Sequence, residues 1–284
     1  MYVKENTYIP KPDFFSPHAI MGKKTLRRVY HEKYIKKKTV TKTQQKNFDI
    51  GSAIHCIFLE PDEFANRFAI SPEKEGITLL KPEDYNMVCN VKKAIYDIFP
   101  DIEQLLVFDE THLSEYTFYV KYIFDKQGMV KDIQSVSSEV TIKDIKENEL
   151  LIRLKPDYVR TKGYITELKT TADGSPQGFP WEVSKYDYDV QGVMTKDVVE
   201  AVLGGSFDFH WLAIDKNEPY DAAVYYMDEG DEELAREYYQ KFLWAICRAL
   251  RSGVWPGYHS GDIRIKQVEL PPSRRYKLQN VTFN

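Results

Sequence analysis

The chain of 284 residues is short of several features that would each have fixed its class. It has three cysteines, Cys56, Cys89 and Cys247, far apart and without any C-x-x-C spacing. An odd, scattered set excludes a disulfide framework, a structural zinc site and the four clustered thiolates of an iron–sulfur protein, and it suits a reducing compartment. No run approaches the roughly 18 apolar residues needed to span a bilayer. The opening stretch MYVKENTYIPKPDFF lacks the apolar core of a secretory signal, so an intracellular setting is expected. Internal repeats and low-complexity tracts are absent. What is present, 43% hydrophobic and 14% aromatic residues, belongs to an ordinary globular chain that can bury a sizeable core, in one large or two small domains.

The chain is also short of positive charge overall, with 39 Lys+Arg against 43 Asp+Glu and a net charge of −4. That average speaks against a nucleic-acid partner, whose phosphates are neutralised by Lys and Arg. The distribution is polarised, however. Between Gly22 and Lys46 lie ten basic residues (Lys23, Lys24, Arg27, Arg28, Lys33, Lys36, Lys37, Lys38, Lys42, Lys46) and one acidic residue, Glu32, so this segment carries +9. Asp215 to Gln240 holds nine acidic and two basic residues. Two solvated faces would satisfy this pattern, and so would an electrostatic footprint for a polyanion. Tyr30 and Tyr34 among the bases suit phosphate contact combined with base stacking.

Periodicity divides the chain. The prolines of residues 1–18 give an extended arm leading to a basic helix near 19–35. Apolar spacing through Ile50, Ile54, Ile57 and Phe58 predicts a helix over 48–60, ended by Pro61, and Pro82 opens another that Pro100 stops. Strand composition follows at 115–124, 129–134, 138–145, 150–160 and 164–170, with a hairpin turn at Thr161-Lys162-Gly163. A helix over 184–203, strands at 207–214 and 222–227, and a helix over 231–251 complete the order. The expected class is α/β or α+β, with a central mixed sheet flanked by helices.

The hairpin carries the chemistry. Side chains alternate along a strand, so Glu167 and Lys169 share a face while Leu168 points away, and the turn brings Asp157 beside them. Two carboxylates and an ammonium at one hairpin end could hold Mg²⁺, activate water and neutralise charge on a phosphodiester. An exposed Asp with an ordinary cross-strand Glu–Lys pair is the plainer reading of the same residues.

Further segments are Gly51-Ser52-Ala53-Ile54-His55, Phe58-Leu59-Glu60-Pro61 with Phe64, Gly76-Ile77 and Glu115. To these add Arg153-Leu154-Lys155-Pro156-Asp157, Ile165 to Thr171, Tyr188 with Gln191, and Gly253-Val254-Trp255-Pro256-Gly257-Tyr258 leading to Leu270-Pro271. In this order, over about residues 50–271, the chain resembles the PD-(D/E)XK nuclease superfamily. Within it, the chain is similar to the exonuclease-VIII (RecE-type) recombination nucleases of phages and prophages.

That resemblance implies a restriction-endonuclease-like core. Residues 1–284 would form a single nuclease domain: a basic arm and helix at 1–48, a helical front at 49–114, a catalytic core at 115–271 with a β insertion at 125–148, and a tail at 272–284. Asp157 and Glu167 would bind the catalytic metal together with the Leu168 backbone carbonyl, His55 and Glu115. Lys169 would assist the attacking water, and Gln191 would sit near the scissile phosphate. The family's Gln-x-x-x-Tyr element reads here with Thr195 in place of Tyr.

The implied activity is a Mg²⁺-dependent exonuclease, with Mn²⁺ able to substitute, that degrades one strand of linear duplex DNA 5′→3′. A structure-selective or restriction-like endonuclease and a non-catalytic DNA-end-binding scaffold are the alternatives. Implied partners are double-stranded DNA ends bound through Lys23, Lys24, Arg27, Arg28, Lys36, Lys37 and Lys38, an annealing protein of the RecT type, and further copies of the chain in a ring, with no membrane. The implied location is the cytoplasm of a bacterium or a phage-infected host.

Overall fold

The structure is a computed structural model that describes residues 2–4, 13–21, 23, 25–35, 40–71 and 75–258. Its elements are β1 (Tyr2–Lys4), α1 (Leu26–Tyr30), α2 (Lys42–Leu59), α3 (Phe64–Arg67), β2 (Phe68–Ala69), β3 (Thr78–Leu79), α4 (Pro82–Ile98) and α5 (Ile102–Leu105). Then follow β4 (His112–Ser114), β5 (Tyr116–Phe124), β6 (Val130–Ser135), β7 (Glu149–Leu154), β8 (Tyr158–Arg160), β9 (Tyr164–Thr171), α6 (Phe179–Tyr186), α7 (Tyr188–Leu203), β10 (Asp208–Asp215), β11 (Ala222–Tyr225) and α8 (Glu229–Ser252).

The class is the expected one. A five-stranded sheet runs β11-β10-β9-β8-β4, in which β9 and β10 are parallel and every other pairing is antiparallel. Leu168, Leu212 and Ile214 on one face pack with Ile54 and Phe58 of α2 and Val88 and Val91 of α4. Ile165, Phe209 and Trp211 on the other pack with Val193 and Val198 of α7 and Leu243 of α8. The alternation along β9 therefore divides the core into two layers, with the sheet between them. A second sheet pairs β5 with β1, β6 and β7.

The expected strand over 150–160 is two strands in different sheets. β7 ends at Leu154 after pairing with β5, and the chain re-enters regular structure at Tyr158 beside β9. Pro156 lacks the N–H that a continuous ladder would need, so Lys155-Pro156-Asp157 becomes the crossover.

Other boundaries moved for local reasons. The basic helix does not run through 19–35: a 3-10 turn occupies Pro17–Ala19, α1 begins behind Thr25, whose Oγ1 accepts from the Arg28 amide at 3.3 Å, and a π-helical turn spans His31–Ile35. Helix α2 starts at Lys42 because Thr41 and Gln44 form a capping box. The expected strand at 138–145 is instead a turn around a 3-10 segment at Ile142–Asp144, since Thr141 and Asp144 satisfy each other's backbone locally. The helix over 184–203 is two helices, broken at Asp187 with φ 54°. Helix α8 opens on the Asp228 cap and closes at Gly253, whose φ of 70° is the left-handed conformation that glycine accepts without strain.

Candidate active site

The β8–β9 hairpin performs as its spacing demands. Tyr158 pairs with Thr166 and Arg160 with Tyr164, which sets Asp157 opposite Glu167 one step beyond the ladder. The Leu168 amide donates to Asp157 Oδ2 at 2.9 Å, and the Asp157 amide approaches Glu167 Oε1 at 3.4 Å. Each carboxylate is thus oriented by the partner strand's backbone. Leu168 itself is fully buried on the opposite face, against α2 and α4.

Two other elements complete the constellation. Helix α2 delivers His55, whose Nδ1 lies 3.5 Å from Asp157 Oδ1. The single-residue break between β4 and β5 delivers Glu115, held at φ 55° with its amide donating to the Asp157 carbonyl at 3.0 Å. A non-glycine residue in this conformation carries backbone strain of about 1–3 kcal/mol, the kind that clusters at functional sites. One ligand atom from each of His55, Glu115 and Asp157 lies within 4.8 Å of the others.

Glu167 stands next to this trio with its carboxylate already engaged. Its Oε2 accepts from Lys169 Nζ at 3.1 Å and from Gln191 Nε2 at 3.4 Å, while Lys169 Nζ also donates to Gln191 Oε1 at 3.1 Å. Glu167 is 2% exposed, so this closed triangle sits in a low-dielectric setting.

Two participants had no role assigned from sequence. The Tyr188 ring lies under the Lys169 ammonium, with Nζ 4.7 Å from the ring centroid. Tyr188 begins α7, one turn before Gln191, so an aromatic reaches the site from the other side of Gln191. Thr195, where the sequence pattern prefers Tyr, is buried in the helix core. Lys155 forms an ion pair with Glu115. Its place in Lys155-Pro156-Asp157 was a visible signal, but its partner lies 40 residues earlier.

The electrostatics reflect crowding of acids under partial burial. Burial, and then the Asp157 charge, push the Glu167 carboxyl up to about 7 against the pull of Lys169. Burial and Asp157 likewise raise Glu115. Burial opposes ionisation of Asp157, but His55, Lys169 and the Leu168 amide outweigh it and hold the carboxyl below its usual range. His55 is raised because Asp157 overcomes the burial that would lower it. Lys169 is raised because Glu167 and Asp157 overcome its burial, so it stays a cation.

Comparison with known proteins places the chain in a family. Residues 24–267 match the family described as "PDDEXK-like domain of unknown function (DUF3799)". The chain belongs to this PDDEXK-like family. It also shares its fold with the crystal structure of a candidate exonuclease from Eubacterium rectale, at a TM-score of 0.58 and 12% identity, over 93% of each chain. The solved structure of SSO0001 aligns over 77% of this chain and 83% of its own at 13% identity, with a TM-score of 0.28, too low to bear on the fold. No curated protein matches the chain.

PDDEXK nucleases use divalent metals, and the residues here fit one. Two carboxylates and an imidazole are donors for a divalent cation, and the raised Glu115 and Glu167 mark a surplus of negative charge that a cation would relieve.

The basic residues are less fully placed. Arg27 and Arg28 are exposed on α1, and Lys23 pairs with Glu32 at 2.8 Å. Lys24, Lys36, Lys37 and Lys38 lie outside the described residues. Among the described residues no helix is long and apolar enough to cross a membrane.

Proposed function

We propose that this PDDEXK-like protein is a Mg²⁺-dependent exodeoxyribonuclease, with Mn²⁺ as a substitute, that removes one strand of linear duplex DNA 5′→3′ and leaves the other for annealing. The observation that carries the reading is the convergence of Asp157, Glu167 and Lys169 from one hairpin with His55 and Glu115 from distant elements. Support for an exonuclease in particular comes from the fold shared with the Eubacterium rectale protein and from the +9 segment over residues 22–46. On the same reading, further copies of the chain in a ring and an annealing protein are its partners.

A bound divalent cation supplies Lewis acidity toward the phosphodiester and lowers the pKa of water. His55, Glu115 and Asp157 would hold it, with Glu167 and the Leu168 backbone carbonyl as the further ligands the resemblance implies. Lys155 neutralises part of Glu115 and keeps that carboxylate turned into the site. Lys169 acts as a fixed positive charge: its raised pKa keeps the proton on Nζ, so it orients water and stabilises developing negative charge and does not accept the proton. Glu167, Gln191 and the Tyr188 ring hold that ammonium from three sides, which lowers the reorganisation needed when the reaction occurs. On this reading Arg27 and Arg28, exposed on α1, contact phosphates of the DNA.

The test is digestion of linear duplexes labelled separately at each 5′ and 3′ end, with covalently closed plasmid alongside. The expected result is progressive loss of one strand from its 5′ end, an untouched plasmid, and no digestion by Asp157→Ala or Lys169→Ala protein that melts as a folded chain. A cut plasmid would point to an endonuclease. Undiminished activity in both variants would remove Asp157 and Lys169 from the chemistry.

A further inference from the structure

Away from the metal-ligand cluster, the C-terminal end of α8 and the start of the chain build an aromatic surface that the active site does not use. After Gly253 the segment Val254–Tyr258 folds back on α1, where the Arg27 amide donates to the Pro256 carbonyl at 2.9 Å. A Cβ on Gly257 would lie 3.4 Å from Arg27 Cδ, so the backbone approaches that side chain closely. This return sets the Trp255 ring 5.4 Å from Tyr30 and 6.3 Å from Tyr34, themselves 5.2 Å apart. The Arg28 guanidinium lies over the Tyr258 ring at 5.9 Å.

The three tyrosine rings are exposed, and Trp255 is half-buried, packed against the edge of the core. Tyr30, Tyr34 and Tyr258 are 37%, 42% and 57% exposed, and Arg27 and Arg28 beside them are exposed too. Tyr30 and Tyr34 are four residues apart, which puts both rings on one side of this helical segment, and the segment from His31 to Ile35 is a π-helical turn, a feature that recurs at functional sites. Leu26, Val254 and Pro256 at the edge of this surface also line a groove of about 1320 Å³ along α8, where Lys126, Lys131, Arg248 and Arg251 outnumber Asp125 and Glu147. A groove of net positive charge ending on a cluster of partly exposed aromatic rings matches the two requirements of an unpaired nucleic-acid strand: phosphates want the cations, and bases want flat apolar faces. In a duplex only the terminal pair offers such a face, so the aromatic part of the surface selects for single strands.

We propose that Tyr30, Tyr34, Trp255 and Tyr258, with Arg27 and Arg28, form a stacking platform for single-stranded DNA, fed by the cationic groove along α8. The platform holds the strand through base faces and so has little sequence preference. It needs no catalysis, and its failure is separable from failure of the nuclease reading: binding is measured in EDTA, and inactive protein that still bound a single strand would leave the platform standing.

The experiment is fluorescence anisotropy of the full chain in EDTA with labelled oligo(dT) and with a duplex of equal length. Trp255→Ala is expected to weaken oligo(dT) binding about tenfold, the size of one lost stacked base, with Trp255→Phe within about threefold and duplex binding little changed. Intrinsic fluorescence serves as a second measurement should Trp255→Ala fail to fold. Oligo(dT) should quench the wild type, and most of that quenching should be missing from Trp255→Phe. Wild-type oligo(dT) affinity in Trp255→Ala, equal losses for duplex and single strand, or undiminished quenching in Trp255→Phe would each overturn the platform.

Discussion

Crowding of acids around Asp157 makes the metal-free protein sensitive to pH in a direction that can be worked out. Glu167 titrates at about 7 in the folded protein against an ordinary 4.5, because burial and the Asp157 charge disfavour its ionised form. The folded state therefore binds this proton more tightly than the unfolded state does. The stability linked to it is fully present below pH 4.5 and is lost as pH rises through 7. At about 1.4 kcal/mol for each pKa unit, the loss amounts to about 3 kcal/mol. With Glu167 2% exposed, solvent screening removes little of it. Glu115 and His55 are raised as well and act in the same direction, while the lowered His210 acts in the opposite one.

For a chain of this size, 3 kcal/mol corresponds to a fall in Tm of about 6 °C. Thermal melts in EDTA between pH 5 and 8 measure it, and Glu167→Gln isolates the contribution of this one group. That variant should show a shallower fall across the range. Gln resembles the protonated carboxyl that the wild type carries at pH 5, so the slope across the range is the diagnostic quantity. A wild-type Tm that is flat or rising between pH 5 and 8, or an identical slope in Glu167→Gln, would refute the assignment of a buried, proton-retaining Glu167.

Three further outcomes follow from the geometry. Mn²⁺ at about a hundred times its Kd should stabilise the wild type by about 2.7 kcal/mol and raise Tm by about 5 °C, and Asp157→Asn should remove most of that shift in the same melts. Tyr188→Ala should slow digestion of linear duplex about tenfold by releasing the Lys169 ammonium, whereas Tyr188→Phe, which keeps the ring, should stay within about twofold of wild type in initial rate. Gly128→Ala should lower the denaturant midpoint by the equivalent of about 1–3 kcal/mol, since its Cβ would fall 2.3 Å from Trp244 Cδ1 at a φ of +91°.

Much of the candidate site was legible because it is local. Asp157, Glu167 and Lys169 lie within one hairpin, and strand alternation plus a three-residue turn leaves only one way to gather them. The limits of α4 were read almost to the residue, since Pro82 and Pro100 act on the backbone beside them, and those of α8 to within two residues. Reading went astray where composition and pairing part company. Residues 138–145 have strand-like composition, but Thr141 and Asp144 close a local turn first. Residues 150–160 read as one strand, but they serve two sheets.

By itself, then, the sequence determined the order and type of the main elements, the sheet face that carries Glu167 and Lys169, and the polarised charge. Each depends on side-chain period, turn chemistry or counting along the chain. Only the resemblance pointed to His55 beside Asp157; tertiary structure alone decided that Glu115 is turned in at a left-handed backbone position with Lys155 as its partner, that Tyr188 supplies the ring beneath Lys169, and that Trp255 returns to Tyr30. Those partners come from separate elements, and their meeting is set by how two core layers pack against a mixed sheet, which no local period encodes.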